Sequence, residues 1–188
     1  MAVKHLVENV RDIALVGHRA AGKTSLADAL LFEAHAVDRM GSVDDGTSVA
    51  DFDDEEHKHH FSIDTHVLHA DHDGKHLNIL DAPGSPDFIG AALEALAAVE
   101  TAVVVVSAVN GVEMNTRKMF QEAGALGLSR AIVVNKLDAE NVDLPSLVEG
   151  IQAALGKCCV LFNAPDRTGP GMREVYCLLD PRQHVPPT

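Results

Sequence analysis

The chain has 188 residues, a formal net charge of −13 and 46% hydrophobic residues. This length suits one domain with a full hydrophobic core, or one domain and the start of another. The acidic balance argues against a broad nucleic-acid or membrane contact, although it leaves room for a local basic patch. The three cysteines lack the spacing of a disulfide framework, and neither a signal peptide nor an apolar run of ~20 residues is found. These features favour a cytoplasmic protein with reduced thiols and no membrane partner.

The first predicted strand, residues 13–16, runs into a glycine-rich segment that fits the pattern GxxxxGK[ST]. A helix is predicted next, because apolar residues recur at helical spacing after Thr24. Such a loop gathers backbone N–H groups around a phosphate chain, Lys23 adds a positive charge, and the Thr24 hydroxyl is suited to bind Mg²⁺. An ordinary glycine-rich turn with an incidental lysine is the alternative. The predicted nucleotide-binding residues here are Gly17, His18, Arg19, Ala20, Ala21, Gly22, Lys23, Thr24 and Ser25.

Between Asp44 and Glu56 seven acidic residues cluster without a lysine or arginine. Glycines and serines interrupt any periodicity in the surrounding segment, residues 38–56. The composition predicts a long, mobile, acidic surface loop.

Two β-like runs follow, residues 63–70 and 75–80, and the Asp-Gly pair between them predicts a hairpin turn. Further along the chain, helical and strand-like patterns alternate. We predict helices at 89–99, 115–126 and Leu144–Leu155, the last ended by Gly156, and buried strands at Thr101–Ser107 and 131–134. Residues 158–162 are predicted as one more short strand, and 163–188 show no recognisable element.

Strands that alternate with helices predict an α/β fold, a mostly parallel sheet with helices on both faces and one antiparallel strand from the hairpin. The loops that follow parallel strands share one edge of such a sheet, where ligands bind. We therefore expect the glycine-rich loop, Asp81 and Asn135 to converge there.

Two further motifs follow predicted strands, Asp81-Ala82-Pro83-Gly84 and Asn135-Lys136-Leu137-Asp138. A carboxylate at the position of Asp81 can hold a metal-bound water beside a γ-phosphate, and the Gly84 N–H can contact that phosphate. The Asp138 carboxylate suits the paired N–H donors of guanine, which adenine lacks, while Asn135 and Lys136 would brace the loops around the base. The order of the three motifs predicts a P-loop NTPase of the G-domain type that uses GTP rather than ATP.

With these motifs the sequence resembles the N-terminal GTPase domain of translation elongation factor G and its elongation-factor-G-like relatives, from about residue 10 to about residue 161. Additional matches are the stretch from Gly41 to Gly46, the turn from Ser107 to Val112, and Leu126 to Leu128 before the last motif. The resemblance implies GTP and GDP with Mg²⁺ as cofactors, GTP as substrate, and the ribosome as partner of the full-length protein. It also implies that Ser62 occupies the place of the switch I threonine, so the expected metal ligands are Thr24, Ser62 and Asp81.

Two positions depart from the family's pattern. Ser85 stands where these GTPases usually carry a histidine that orients the attacking water, and Ala20 stands where an aspartate is common. The expected catalytic residues are Lys23, Gly84 and Ser85, with slow hydrolysis or a group supplied by a partner. Two functions stay open: a GTP-hydrolysing translation factor on the ribosome, and a GTP-binding switch or scaffold with little hydrolysis. An ATPase is the third alternative, which Asp138 opposes.

The resemblance also implies the domain organisation. Residues 1–156 would form the GTP-binding core and 157–188 the start of an inserted subdomain, in a chain truncated before the end of the G domain. The family's fifth motif, which contacts the guanine, has no counterpart after Asp138.

Seven histidines lie between His57 and His76. Imidazole binds zinc or nickel, but these residues fall in a predicted loop or on both faces of the hairpin. We therefore interpret the cluster as a source of incidental metal binding rather than a specific site. The seven are His57, His59, His60, His66, His69, His72 and His76.

Overall fold

The computed structural model describes residues 5–43, 45–50 and 62–180. A five-stranded sheet with the strand order β2-β3-β1-β4-β5 forms its centre. β1 pairs in parallel with β3 and β4, whereas β2 pairs antiparallel with β3, as the sequence predicted. The strands are β1 (Val10–Gly17), β2 (His66–His72), β3 (Lys75–Asp81), β4 (Thr101–Ser107) and β5 (Ser129–Asn135).

In the described ranges, four α-helices connect or flank these strands, which confirms the α/β fold class. They are α1 (Lys23–Glu33), α2 (Ile89–Ala97), α3 (Met114–Ala125) and α4 (Leu144–Leu155), and two short 3₁₀ turns cover Val7–Asn9 and Pro86–Phe88. α4 begins where the Asp143 carboxylate accepts the Ser146 N–H, 3.2 Å away, and ends at Gly156 as predicted. Among the described residues, no helix has the length and the apolar character that a membrane span requires.

The β2–β3 hairpin has the predicted Asp-Gly turn. Asp73 and Gly74 have φ angles of 47° and 72°, the left-handed pair that a tight two-residue hairpin turn requires. His72 and Lys75 are the last paired residues before the turn. β2 begins at His66, three residues later than the pattern predicted. From His72 and Lys75 onwards, the pairing follows the register that a two-residue turn sets.

The core beneath this sheet is built from β1, β3 and α1, with Leu15 and Ile79 fully buried. On α1 the buried residues include Ala27 and Leu31. Leu26, Leu30 and Ala34, from the predicted apolar face, are only partly buried at its margin.

The acidic segment differs from the prediction of a surface loop, because Ser48 and Ala50 are buried and Ala50 belongs to the core cluster. One or two small residues are enough to hold an otherwise acidic segment against the core. The average composition of the segment does not show them. Asp44 and residues 51–56 lie outside the described residues, as do His57, His59 and His60.

Two predictions near the end of the chain were wrong. β5 is the last strand of the sheet order and is not buried: Ala131 is exposed and residues 132–134 are half-buried. Residues 158–162 form no strand; a small antiparallel pair, β6 (Asn163–Pro165) with β7 (Val175–Cys177), lies in the tail instead. Three-residue strands are too short to show an alternating pattern.

The chain divides into two compact units, each with most of its contacts within itself. The first comprises Met1–Val105 with Met114–Val133, and the second Val106–Glu113 with Val134–Thr188. The glycine-rich loop and residues 81–84 fall in the first unit, and residues 135–138 fall in the second. Convergence of the motifs on one edge, and the division at residue 156, stay predictions.

Candidate functional site

The glycine-rich loop leaves β1 at Gly17 and enters α1 at Lys23. Gly17 has a φ of 146°, and a Cβ there would collide with the Val105 carbonyl oxygen of β4, so the strand end admits only glycine. Ala20 and Gly22 also have positive φ angles, 59° and 94°. Left-handed residues beside a helix N-terminus are the backbone features of an anion-binding nest.

Lys23 is buried within this loop, with 7% of its surface exposed. Its ammonium donates a hydrogen bond to the His18 carbonyl oxygen, 2.9 Å away. Burial lowers the pKa of Lys23, and the nearby Asp81 carboxylate partly opposes that effect. A desolvated ammonium at the loop is placed to gain strongly from a phosphate partner.

The predicted magnesium ligands Thr24 and Asp81 contact each other directly. The Thr24 hydroxyl donates to Asp81 Oδ2 at 2.6 Å, which joins the first turn of α1 to the end of β3. Asp81 is fully buried. A hydroxyl and a carboxylate oxygen form the hard donor set that Mg²⁺ prefers. Ser62, the third predicted ligand, is half-buried where the described chain resumes, and its role stays a prediction.

Gly84 packs against the glycine-rich loop so closely that no side chain would fit. A Cβ there would collide with the Lys23 ammonium and lie 2.7 Å from the Arg19 nitrogen and 2.8 Å from the His18 carbonyl carbon. The segment after β3 is therefore in contact with the glycine-rich loop, residues 17–24, which we call the phosphate loop. This contact depends on glycine at position 84.

Asn115 is a buried neighbour of Gly84 that the sequence did not reveal. Its amide nitrogen donates to the Gly84 carbonyl oxygen at 2.8 Å, and the residue is only 5% exposed. Asn115 lies four residues before Met119 and eight before Ala123 on the buried stripe of α3. An amide on a largely apolar stripe was the available signal, since buried amides need hydrogen-bond partners.

The remaining residues predicted around this loop differ in exposure. Ser85 is half-buried, and its hydroxyl lies 3.5 Å from the Asp87 carboxylate. Arg19 and Ser25 are exposed and His18 is half-buried, whereas Ala21, Ala82 and Pro83 are buried.

A second buried carboxylate ties α1 to the stretch that begins with the family match from Gly41 to Gly46. Asp28 is fully buried and its Oδ1 accepts the Val49 N–H at 3.1 Å. A Cβ on Gly41 would lie 2.8 Å from Asp28 Oδ2. Both ends of residues 41–50 therefore contact one side chain of the helix that follows the phosphate loop.

In the second unit, the motif after β5 is held by its backbone. The Asn135 carbonyl accepts the Ala108 N–H and the Leu137 carbonyl accepts the Gly169 N–H, each at 2.8 Å. Asn135 Oδ1 accepts the Lys136 N–H at 2.8 Å, and Lys136 has a φ of 63°. Asp138 is exposed.

Comparison with known proteins places these motifs in a family. Residues 8–177 match the family described as the elongation factor Tu GTP binding domain. Elongation factor G-like protein from Mycobacterium tuberculosis (strain ATCC 25618 / H37Rv) is 37% identical over 160 residues, which are 85% of this chain and 22% of that protein. Peptide chain release factor 3 from Synechocystis sp. (strain ATCC 27184 / PCC 6803 / Kazusa) is 33% identical over 183 residues, 95% of this chain and 34% of that protein.

A crystal structure of a protein from Thermus thermophilus is also similar, with a TM-score of 0.83 and 37% identity over 88% of this chain and 25% of that one. The fold and the motifs thus define a P-loop GTPase domain. The chain belongs to the family of elongation factor Tu GTP-binding domains, the G domains of translational GTPases. It spans about a quarter to a third of the length of these relatives.

Proposed function

We propose that the phosphate loop and residues 81–84 bind GTP or GDP with Mg²⁺, and that this domain serves a translation factor that acts on the ribosome. The observation that carries the proposal is the contact among Lys23, Thr24, Asp81 and Gly84. Thr24 and Asp81 would hold Mg²⁺, which supplies positive charge opposite the phosphate oxygens. Lys23 binds the same oxygens from the loop side, and the Gly84 N–H contacts the terminal phosphate.

Guanine selectivity is assigned to Asp138. Its carboxylate is exposed, and two backbone hydrogen bonds hold the loop that carries it. A carboxylate accepts the N1–H and N2–H₂ donors of guanine in a bidentate pair, and adenine offers no such pair. GTP and GDP are therefore the proposed nucleotides, and ATP is excluded by the same chemistry.

Hydrolysis is proposed to be slow without a partner. The Ser85 hydroxyl faces Asp87 at 3.5 Å, and a serine orients a water molecule less well than an imidazole and never becomes cationic. Ala20 brings no carboxylate to the phosphate loop. These two residues favour a second candidate, a GTP-binding switch that hydrolyses little unless the ribosome supplies the missing group.

Titration with fluorescent GTP, GDP and ATP analogues, with and without Mg²⁺, tests the binding site. GTP and GDP should bind more tightly than ATP, and Mg²⁺ should strengthen binding of GTP. Asp81→Asn should remove the effect of Mg²⁺, whereas Glu33→Gln, the same change at an exposed carboxylate at the far end of α1, should keep it. ATP binding as tight as GTP binding would reject the guanine assignment.

Single-turnover hydrolysis with and without ribosomes tests whether GTP hydrolysis is slow in the absence of a partner. The protein should hydrolyse GTP slowly without ribosomes, and Ser85→His combined with Ala20→Asp should raise that rate. An unchanged rate in the double variant, at unchanged GTP affinity, would show that these positions do not limit hydrolysis. A fast intrinsic rate in the unaltered protein would exclude the switch.

A further inference from the structure

Three metal-binding side chains meet beside the turn of the β2–β3 hairpin. Asp71 and His76 face each other as a cross-strand pair in the antiparallel register, two residues from the Asp73-Gly74 turn. His5 arrives from the segment before β1, and its ring stacks on that of His76 with centroids 4.0 Å apart. Widely separated parts of the sequence thus contribute to one cluster.

The segment that carries His5 is fastened to the hairpin by a second contact. The Lys75 ammonium donates to Asn9 Oδ1 at 2.7 Å, and Val10 at the start of β1 stands opposite His76 in the parallel register of β1 and β3. The position of His5 next to the hairpin therefore follows from the pairing of the first strand.

The ligand atoms are close enough for one cation to contact all three. His76 Nδ1 lies 2.8 Å and His5 Nε2 lies 3.8 Å from the same oxygen, Asp71 Oδ1. All three ligand atoms lie within 4.8 Å of one another. Ligands at 2.0–2.1 Å from a tetrahedral Zn²⁺ are about 3.3 Å apart, which differs by about 0.5 Å from each of the two measured distances. Because an imidazole binds a metal in the plane of its ring, one of the two stacked rings also has to turn to meet the same ion.

The donor set selects the class of ion. Two imidazole nitrogens with one carboxylate oxygen suit zinc and similar transition metals, whereas Mg²⁺ and Ca²⁺ prefer oxygen ligands alone. The Asp71 side chain is 64% exposed while those of His5 and His76 are 27% and 18% exposed. The cluster is thus open to solvent on the carboxylate side, which leaves a fourth position for water.

We propose that His5, Asp71 and His76 form a Zn²⁺ site that fastens the segment before β1 to the β2–β3 hairpin. Of the histidines in the hairpin, the site uses only His76 as a close ligand. Its second histidine, His5, is remote in sequence. His69, whose ring centroid is 6.0 Å from that of His76, is the neighbouring side chain available to the fourth position. The proposal does not depend on nucleotide binding.

Zn²⁺ alone is the probe, added to the purified chain during equilibrium dialysis, with Co²⁺ as a spectroscopic substitute. Eleven histidines are present, so the reference is a variant in which His57, His59 and His60 are all changed to Gln. This reference should bind one equivalent of Zn²⁺ and give the visible absorption of four-coordinate Co²⁺. At Zn²⁺ about 100-fold above Kd its melting temperature should rise by roughly 5–10 °C.

In that reference background, His5→Gln and His76→Gln should each weaken Zn²⁺ binding by at least about tenfold, since loss of even an outer-shell partner of a metal ligand costs about 10- to 100-fold. His72→Gln is the matched control, since His72 lies in the same hairpin with its ring 3.7 Å from Asp73 instead. It should leave the affinity and the Co²⁺ spectrum unchanged. Melting in the presence of EDTA verifies that each variant folds, and His5→Gln, outside every strand, keeps the test available where His76→Gln does not fold.

The proposal is overturned if changing His57, His59 and His60 abolishes uptake. It is overturned equally if His5→Gln retains the stoichiometry, the affinity and the spectrum of the reference. In either case the contacts among the three side chains would be ordinary hydrogen bonding and stacking.

Discussion

The loop after β3 and the loop after β5 both follow a strand and carry a motif of the same family, yet they are held in different ways. Residues 81–84 are buried. The Asp81 carboxylate accepts a hydrogen bond from Thr24, and Gly84 packs against the phosphate loop so closely that a side chain would not fit. Residues 135–138 are exposed or half-buried, and backbone hydrogen bonds from Ala108 and Gly169 hold them.

This difference suits the two parts of the nucleotide that we propose these loops bind. A phosphate chain with a metal ion is bound best by groups fixed in a desolvated, preorganised site. A base edge is recognised by a carboxylate that meets it from solvent, so only the backbone beneath that carboxylate has to be rigid. We therefore expect changes at the first loop to act through packing and changes at the second through single hydrogen bonds.

Gly84→Ala is expected to have the broadest effect, because it should weaken binding of every nucleotide that uses the phosphate loop. The new methyl group would collide with the Lys23 ammonium and the backbone at Arg19. Overpacking of this kind costs about 1–3 kcal/mol. If the displaced loop carries this cost into the complex, GTP and GDP affinity falls by about 5- to 150-fold, measured by titration with fluorescent analogues.

Gly90→Ala is the matched control for this change. Gly90 lies in α2, and a Cβ there would meet nothing within 4 Å. Alanine is favoured over glycine inside a helix, so this variant should keep full affinity and melt at the same or a higher temperature. Equal affinity in Gly84→Ala and Gly90→Ala would contradict the close packing of the first loop.

Asp138→Ala should reduce GTP affinity by about 10- to 150-fold, since hydrogen bonds to a charged group contribute about 1.5–3 kcal/mol. ATP affinity should stay the same, so the ratio of the two affinities is the measurement. Glu140→Ala, a change of a neighbouring exposed carboxylate, controls for charge. A variant that loses affinity for GTP and ATP equally would mean that Asp138 supports the loop rather than the base.

The sequence predicts the first loop better than its surroundings. The glycine-rich motif, Asp81 and Gly84 follow strands directly, so local patterns are enough to find them. Asn115 was missed because its partner is a carbonyl 31 residues away, and no local pattern encodes which buried amide meets which backbone group. Asp28 was missed for the same reason: its bond to Val49 spans 21 residues. β6 and β7 were missed because each is only three residues long.

Thr168→Val tests the support of the loop after β5, and its expected effect on GTP affinity is smaller than that of Asp138→Ala. The Thr168 hydroxyl donates to the Val142 carbonyl at 2.7 Å, next to the Gly169 N–H that holds Leu137. Loss of one such bond costs about 0.5–1.5 kcal/mol, so GTP affinity should fall by about two- to tenfold. Thr65→Val removes a similar bond, to the Ala91 carbonyl at 3.1 Å. It should lower the melting temperature without changing the ratio of GTP to ATP affinity, and a changed ratio there would contradict the separation of the two loops.

The smallest effect concerns the tail that supplies Gly169. The N–H groups of Arg173 and Glu174 donate to the Asp166 carboxylate at 3.1 and 3.3 Å. The Arg173 N–H above all, then that of Glu174 and the contacts with Arg167, lower the pKa of Asp166. A folded-state pKa below the unfolded value, about 3.9, means that the stabilisation is present above that value and is lost as the pH falls through the folded pKa.

Amide exchange of Arg173, Glu174 and Gly169, followed by NMR from pH 6 downwards, measures this loss. In the unaltered chain, protection at the three amides relative to the intrinsic exchange rate should decrease together below the ordinary pKa of an aspartate. In Asp166→Asn, which keeps a hydrogen-bond acceptor but does not ionise, protection should be lower at pH 6 and independent of pH in this range. If Gly169 keeps its protection while the other two amides lose theirs, the Asp166 turn does not support the loop after β5, and the contact from Gly169 to Leu137 is independent of it.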